Sequence, residues 1–287
     1  MSAVLKLVQG SREWLDYRRT MRNASETPAV LGISPWMSPY ELWLVKTGRS
    51  TQAVTPAMAH GTATEPQARA AYEAQTGHVM NPLVMQDGSY SASLDGVTLA
   101  GDLILEVKCP YRGKLSKLWK DALDGQVPAY YAAQIAHQLM VSRATEAHLW
   151  VYADEDGLLL TVRRDEDAMA AIRGAWDTFA GYLDSDTPPP LSESDTVFRD
   201  DPAWADAAKA FTEAKQLADA AGEALDAARQ RLIDLTRSAR ESGGGVSVVR
   251  MWKAGNVEYK KIPELAGVDL ERYRGKGREE LRVTVVK

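Results

Sequence analysis

The stretch Leu103-Ile104-Leu105-Glu106-Val107-Lys108 confines the fold of this 287-residue chain more than any other segment. Side chains alternate across a strand, so Leu103, Leu105 and Val107 share one face while Glu106 and Lys108 share the other. A strand this apolar belongs in a core, where charges without partners are expensive. Glu106 and Lys108 therefore call for a metal, a ligand or solvent beside them. Just upstream, Asp95 in Ser93-Leu94-Asp95-Gly96 ends the preceding strand, and the short connection returns the chain alongside it, so Asp95 can approach Glu106. With Glu65 from a helix and the Val107 carbonyl, these residues make an all-oxygen set suited to Mg²⁺ or Mn²⁺, two ions per site. Such a site activates water against a phosphodiester, and Lys108 then orients that water or stabilises the developing oxyanion. The competing reading is an ordinary edge-strand salt bridge, because ion pairs of purely structural use are common.

Composition narrows the alternatives. Hydrophobic residues make up 45% of the chain, enough for a real core. The single cysteine, Cys109, excludes an internal disulfide and a four-cysteine metal site, and reads as a small buried side chain. The four histidines, His60, His78, His137 and His148, show no short ligand pair, which leaves carboxylates as the metal ligands. No apolar run is long enough to span a bilayer and no leader pattern opens the chain, so a cytoplasmic protein without membrane contact is expected. A net charge of −5 weighs mildly against a nucleic-acid partner. Basic residues nevertheless cluster at Arg18, Arg19 and Arg22, at Arg112, Lys114, Lys117 and Lys120, and from Lys260 to Arg282, which allows a positive channel in an acidic shell. Lys114, Lys117 and Lys120 fit a phosphate-tracking row and a solvated helix face equally well.

The periodicity predicts helices over Arg12 to Arg22, from the Ser38 cap to Gly48, and over Thr62 to Gln75 with Gly77 as its stop. In the last of these, Pro66 is tolerable only in the first turn, which puts Glu65 near the helix start. Strands are expected at Val79 to Met85, Tyr90 to Leu94 and Leu103 to Cys109. A helix opened by Pro128 runs to Val141. A hairpin of Ala147 to Ala153 with Leu158 to Arg163 turns at Asp154-Glu155-Asp156-Gly157, and a helix from Asp165 to Leu183 follows. Pro188-Pro189-Pro190 opens a linker. Residues 1–187 thus form one domain, 188–201 a linker and 202–287 an appendage, in which Pro202 to Glu241 reads as one long exposed helix or half of a helical pair, stopped by Gly243-Gly244-Gly245. A β-rich tail follows, with strands at Val246 to Lys253, Glu258 to Ile262 and Leu281 to Val286.

Several separated motifs, in order, resemble those of the lambda-exonuclease-like or YqaJ-type viral recombinase nucleases, a branch of the PD-(D/E)xK nucleases. Ser93-Leu94-Asp95-Gly96 with Leu105-Glu106-Val107-Lys108-Cys109-Pro110 is similar to the family's core. Gly61-Thr62-Ala63-Thr64-Glu65 resembles its Gly-x-x-x-Glu helix, and Tyr131-Ala132-Ala133-Gln134 its Tyr-x-x-Gln helix. Trp14-Leu15-Asp16-Tyr17-Arg18 and Ala24-Ser25-Glu26 resemble the segment that holds a 5′-phosphate. The resemblance implies an α/β fold, a central mixed β-sheet flanked by helices, with the long helix and small β-rich tail appended. It implies 5′-to-3′ exonuclease action on linear double-stranded DNA, leaving 3′ single strands for a single-strand annealing protein in phage-type recombination. It also implies a homo-oligomer in the form of a ring trimer, and a bacterial host cell as the setting, with phage or prophage origin. Residue by residue, Glu65, Asp95, Glu106 and Val107 hold Mg²⁺, Lys108 assists the attack, Gln134 supports the site, and Arg18 with Ser25 grips the 5′-phosphate.

Each residue has a plainer reading. Arg18 reads otherwise as a solvated helix arginine, Ser25 as a helix cap and Gln134 as a polar core residue. Asp102 competes as a ligand but is expected in a turn. Trp36, Tyr40 and Trp43 recur at roughly helical spacing, which favours core packing over base stacking. Two other functions fit the same residues: a structure-selective or restriction-type endonuclease, and a non-catalytic DNA-binding scaffold.

Overall fold

The computed structural model describes residues 2–252, 262, 263 and 268. It divides into two compact units, Met1–Thr196 and Val197–Lys287. A short strand, β1 (Ala3–Leu5), precedes helix α1 (Arg12–Thr20), which Ser11 caps by accepting the Trp14 N–H. Strand β2 (Arg22–Asn23) and the single-turn helix α2 (Thr27–Val30) lead to α3 (Pro39–Lys46). The Ser38 and Glu41 capping box forms as its sequence signature predicts.

Helix α4 departs from expectation. It starts at Pro56 rather than Thr62 and runs Pro56–Thr76, capped by the Thr55 side chain and closed by Gly77 at φ +76°. Pro56 takes the first-turn position that was expected of Pro66, so Pro66 and Glu65 lie in the helix interior. Pro66 has no N–H to give Thr62, and both residues are exposed, so water can take the freed carbonyl. Ala68 and Tyr72 on the opposite side are buried and anchor the helix.

The expected α/β architecture of mixed sheet flanked by helices forms, with the strands of the first unit divided, among the described residues, between two four-stranded mixed sheets rather than joined in one. Strands β3 (Leu83–Asp87) and β4 (Tyr90–Leu94) join β1 and β2 in the order β1-β3-β4-β2. The chain leaves that ladder at Leu94, crosses Asp95, and enters a second sheet through β5 (Gly96–Val97), which pairs antiparallel with β6 (Leu103–Lys108). Helix α5 (Lys117–Leu123), which puts Lys117 and Lys120 on a helix, is followed by α6 (Ala129–Ser142). Strands β7 (Glu146–Ala153) and β8 (Asp156–Arg163) complete the order β5-β6-β7-β8, with β6 and β7 parallel. The hairpin turn is tighter than predicted: Asp154 and Glu155 alone turn it, at φ +51° and +65°, as two-residue loops require. Gly157 sits against Trp150, where an added Cβ would lie 1.8 Å from Cζ2 of the indole. Helix α7 (Glu166–Asp184), capped by Asp165, closes the block.

The core lies on both faces of the second sheet. Ile104, Ala147, Leu149 and Val151 pack with α6 and α7, whereas Leu103, Leu105, Val107, Trp150 and Tyr152 pack with Ala68 and Tyr72 of α4. Burial on both sides explains why β6 reads as an almost unbroken apolar run.

His137 on α6 is buried, with Nδ1 2.6 Å from Thr27 Oγ1, which also accepts the Trp176 indole N–H at 3.0 Å. Burial pushes its pKa down to about 3. The unfolded chain takes up a proton below about pH 6.5 that the folded chain refuses, so this stability is present above pH 6.5 and lost as pH falls. From pH 7 to pH 5 His137 should cost about 2 kcal/mol, at roughly 1.4 kcal/mol per pH unit below 6.5. Urea denaturation of wild type and His137→Gln at the two pH values measures it. A pH dependence unchanged by the substitution would contradict this role for His137.

In the second unit, α8 (Pro202–Leu235) is a single helix with no buried residue. It stops at Leu235, six residues short of the expected Glu241, because Arg240–Gly243 form β9, paired with β10 (Val246–Val249). The glycines supply the hairpin turn, Gly244 at φ +57° and Gly245 at +81°, rather than a helix stop. The strands expected at Glu258 to Ile262 and Leu281 to Val286 fall, apart from Ile262, outside the described residues. Among the described residues no helix is long and apolar enough to cross a membrane.

Candidate active site

Glu106 occupies the centre of β6 on the face toward α6, as alternation requires, with its side chain 3% exposed. Three donors converge on its carboxylate. Lys108 Nζ lies 2.5 Å from Oε1, Gln134 Nε2 donates to Oε1 at 2.7 Å, and Gln138 Nε2 donates to Oε2 at 2.5 Å. Gln134 and Gln138 stand one turn apart on α6, so one helix face presents both amides to one carboxylate. Lys108 Nζ also lies 4.9 Å from the centroid of the Tyr131 ring.

Asp95 sits at the crossing between the two sheets. Its Oδ2 accepts the Val107 N–H at 2.8 Å. This is possible because β5 ends its pairing at Gly96 opposite Leu105, leaving that edge of β6 open at Val107. Arg69 ties Asp95 to α4: its Nη1 donates to the Asp95 backbone oxygen at 2.8 Å and to Glu65 Oε1 at 3.0 Å. Glu65, Asp95, Glu106, Val107, Lys108 and Gln134 are thus gathered in one place. As the side chains stand, no trio of His, Cys, Asp or Glu among the described residues is drawn in to ligand distance of a common point. Glu65 is turned to Arg69, and Glu106 to Lys108 and the glutamines.

Arg18 and Ser25 form a second pair. Arg18 Nη2 donates to the exposed Ser25 Oγ at 3.0 Å and meets Glu26 Oε1 at 3.3 Å, and its guanidinium lies 4.5 Å from the Trp14 ring centroid. Ser25 lies in a 3-10 turn before α2 and caps no helix. Lys46, almost wholly buried, donates to the Arg18 and Met21 carbonyls at 2.8 and 2.7 Å and pairs with Glu26 at 2.6 Å, so the Arg18 loop is fixed from beneath. Trp14 Nε1 donates to Ser93 Oγ at 3.0 Å, two residues before Asp95, which joins this pair to the carboxylates.

Residues 13–147 match the family model described as the YqaJ-like viral recombinase domain. The chain is 29% identical over 136 residues to the uncharacterized protein YqaJ of Bacillus subtilis (strain 168), an alignment covering 45% of this chain and 41% of that one. The chain therefore spans less than half the length of that relative. Among solved structures, an alkaline exonuclease from Laribacter hongkongensis (LHK-Exo) superposes with TM-score 0.54 at 22% identity, over 61% of this chain and 94% of that one. Its complex with dAMP superposes equally well. These likenesses establish a shared fold.

Within the segment that matches this family model the electrostatics are uneven. Burial first, then the charges of Glu106 and Glu65, raise the Asp95 carboxyl well above its ordinary value, against the pull of Lys108 and the Val107 N–H. Burial alone would depress Lys108, but Glu106, Tyr131 and Asp95 outweigh it and hold the ammonium above its ordinary range. Lys108 is therefore held as an ammonium beside Glu106. Burial, then Glu65 and Asp95, push the Cys109 thiol up to about 11, which makes it inert. Asp102 is exposed at the start of β6 and bonded to Thr98, a turn residue remote from Glu106 along the strand. Lys114 pairs with Asp156 and Lys117 with Asp121.

Excess negative charge around Asp95 is the feature a divalent cation relieves, and the oxygen donors suit a hard ion, so Glu65, Asp95, Glu106 and the Val107 carbonyl fit Mg²⁺ or Mn²⁺. Arg69 and Gln138 were not singled out from the sequence. Each lies four residues after a residue that was, Glu65 and Gln134, and that spacing was the available signal.

Proposed function

We propose that this chain is a divalent-metal-dependent exonuclease that degrades linear double-stranded DNA in the 5′-to-3′ direction. The observation that carries the proposal is the gathering of Glu65, Asp95 and Glu106 around the charged Lys108, with Asp95 resisting ionisation because it is buried and its neighbours are also acidic. Glu65, Asp95, Glu106 and the Val107 carbonyl would hold a Mg²⁺ or Mn²⁺ pair, which would supply charge neutralisation at the attacked phosphate and the leaving 3′ oxygen and ease deprotonation of a water. Lys108 presents a fixed positive charge to the phosphoryl oxygens. Gln134 and Gln138 fix the Glu106 carboxylate so that its oxygens do not rotate away. Arg18 and Ser25 receive the terminal 5′-phosphate, Arg18 through the planar fork that pairs phosphate oxygens.

The relatives support this reading. The domain family is described as viral recombinase-like, and the neighbour LHK-Exo is an alkaline exonuclease that has been seen with dAMP, a single deoxynucleotide unit. A single-strand annealing partner, a ring-trimer homo-oligomer and a cytoplasmic setting in a phage-bearing bacterial host belong to the proposal on family resemblance alone.

Linear duplex and covalently closed circular DNA test the exonuclease reading in one assay: the linear form is degraded and the circle stays intact. Cutting of the circle would instead establish an endonuclease. Arg18→Ala is expected to reduce the rate advantage of a 5′-phosphorylated end over a 5′-hydroxyl end by about 10- to 100-fold, the worth of a hydrogen bond to a charged group. Initial rates on the two ends measure it, and equal loss on both would remove Arg18 from end recognition.

A further inference from the structure

Trp36 is expected by its spacing to face the core with Tyr40 and Trp43, and of the three it does not. Trp43 is buried and stacks with Tyr40 at 6.3 Å, whereas Trp36, in the loop between α2 and α3, is 65% exposed. The Trp36 indole meets Tyr130 edge-on at 5.0 Å and Tyr131 at 5.9 Å, and the two tyrosine rings lie 4.5 Å apart. Tyr131 in turn carries Lys108 at 4.9 Å. An aromatic shelf therefore runs outward from the candidate catalytic lysine to a tryptophan that leaves most of its surface in water. Beyond Tyr130 stands the highly exposed Lys117, paired with Asp121 at 2.7 Å, so a lysine lies near each tyrosine of the shelf. The backbone N–H of Trp36 is bonded to Ser34 Oγ at 3.2 Å, which helps fix the loop before any ligand arrives.

Core packing does not explain a tryptophan this exposed. Nucleic acid supplies a partner of the right chemistry, since aromatic faces interleaved with lysines bind unpaired strands by stacking the bases while the cations take the phosphates. Resting on the nuclease reading above, we propose that Trp36, Tyr130 and Tyr131 form a stacking subsite for an unpaired nucleobase of the strand whose phosphate lies at Lys108. A base within a duplex has both faces covered by its neighbours, so occupancy requires the end of the strand to be splayed out of the stack. The subsite would select frayed or unpaired termini with little regard to sequence, because every base has a π face.

The test uses the full chain in Ca²⁺, with fluorescence anisotropy of labelled duplexes that carry a short unpaired 5′ segment. One probe has its bases, and a second is abasic in that segment. Wild type is expected to bind the abasic probe about tenfold more weakly. Trp36→Ala is expected to bind the base-bearing probe about tenfold more weakly and to be indifferent to base removal, and Trp36→Phe to restore most of the discrimination. If Trp36→Ala binds as wild type does, or weakens both probes equally, the subsite is refuted while DNA binding by wild type leaves the nuclease reading standing. If wild type binds neither probe, the subsite and the nuclease reading fall together.

Discussion

Glu106→Ala is expected to lower turnover on linear duplex DNA by about 10³-fold or more and to leave the fold intact. Glu106 receives Lys108, Gln134 and Gln138, so its loss removes an oxygen ligand and releases the groups arranged around it. A divalent ion acting as Lewis acid is worth several kcal/mol in the transition state, and each 1.36 kcal/mol is tenfold in rate. The fold should persist because Asp95 remains to offset Lys108, and because removing one of three crowded acids lessens the repulsion on Asp95. Single-turnover rates with the near-ultraviolet circular dichroism of each protein measure both halves. Turnover within tenfold of wild type would take Glu106 out of the chemistry.

Asp95→Asn should separate stability from function. Asparagine keeps an oxygen for the Val107 N–H and leaves the Arg69 bond to the backbone untouched, but carries no charge. Because the folded state raises the Asp95 pKa, the unfolded chain ionises first as pH rises. Stability contributed by this group is present in acid and lost as pH climbs through the folded pKa. At neutral pH in a chelator, Asp95→Asn should therefore melt higher than wild type by a few degrees, roughly 2–4 °C for each kcal/mol relieved in a domain of this size. The gap should close toward pH 4. Saturating Mg²⁺ should reverse the order, since an ion that binds only the folded state raises the wild-type Tm and has little hold on the variant, which should be inactive. Melting curves at pH 8 with chelator or Mg²⁺ check this, and a lower Tm for Asp95→Asn in chelator would show that the acids do not repel.

Much of this arrangement was legible because its determinants are local. Alternation on β6 assigned Glu106 and Lys108 to one face without reference to anything distant, and the turn around Asp95 followed from a short connection. The Ser38 capping box, the Pro128 helix start and the Asp154 turn are also written in neighbouring residues. What stayed hidden depends on the third dimension. Pro66 was read as a first-turn residue because the burial of Tyr72 and Ala68, which holds α4 together around it, lies later in the chain. The split into two sheets depends on which ladder claims the residues on either side of Asp95. Trp36 shares a spacing with Trp43 but precedes the helix that gives that spacing meaning. Gln138 acquires its partner only when α6 lies across β6.

The central claim is that acidic side chains from α4, the sheet crossing and β6 hold divalent cations together. Equilibrium Mn²⁺ binding, followed by titration calorimetry on wild type, Asp95→Asn and Glu106→Ala, tests it most directly. Saturable binding in wild type that is lost or at least about tenfold weaker in both variants is the expected result. Unchanged affinity in both variants, or no binding by wild type, would contradict it.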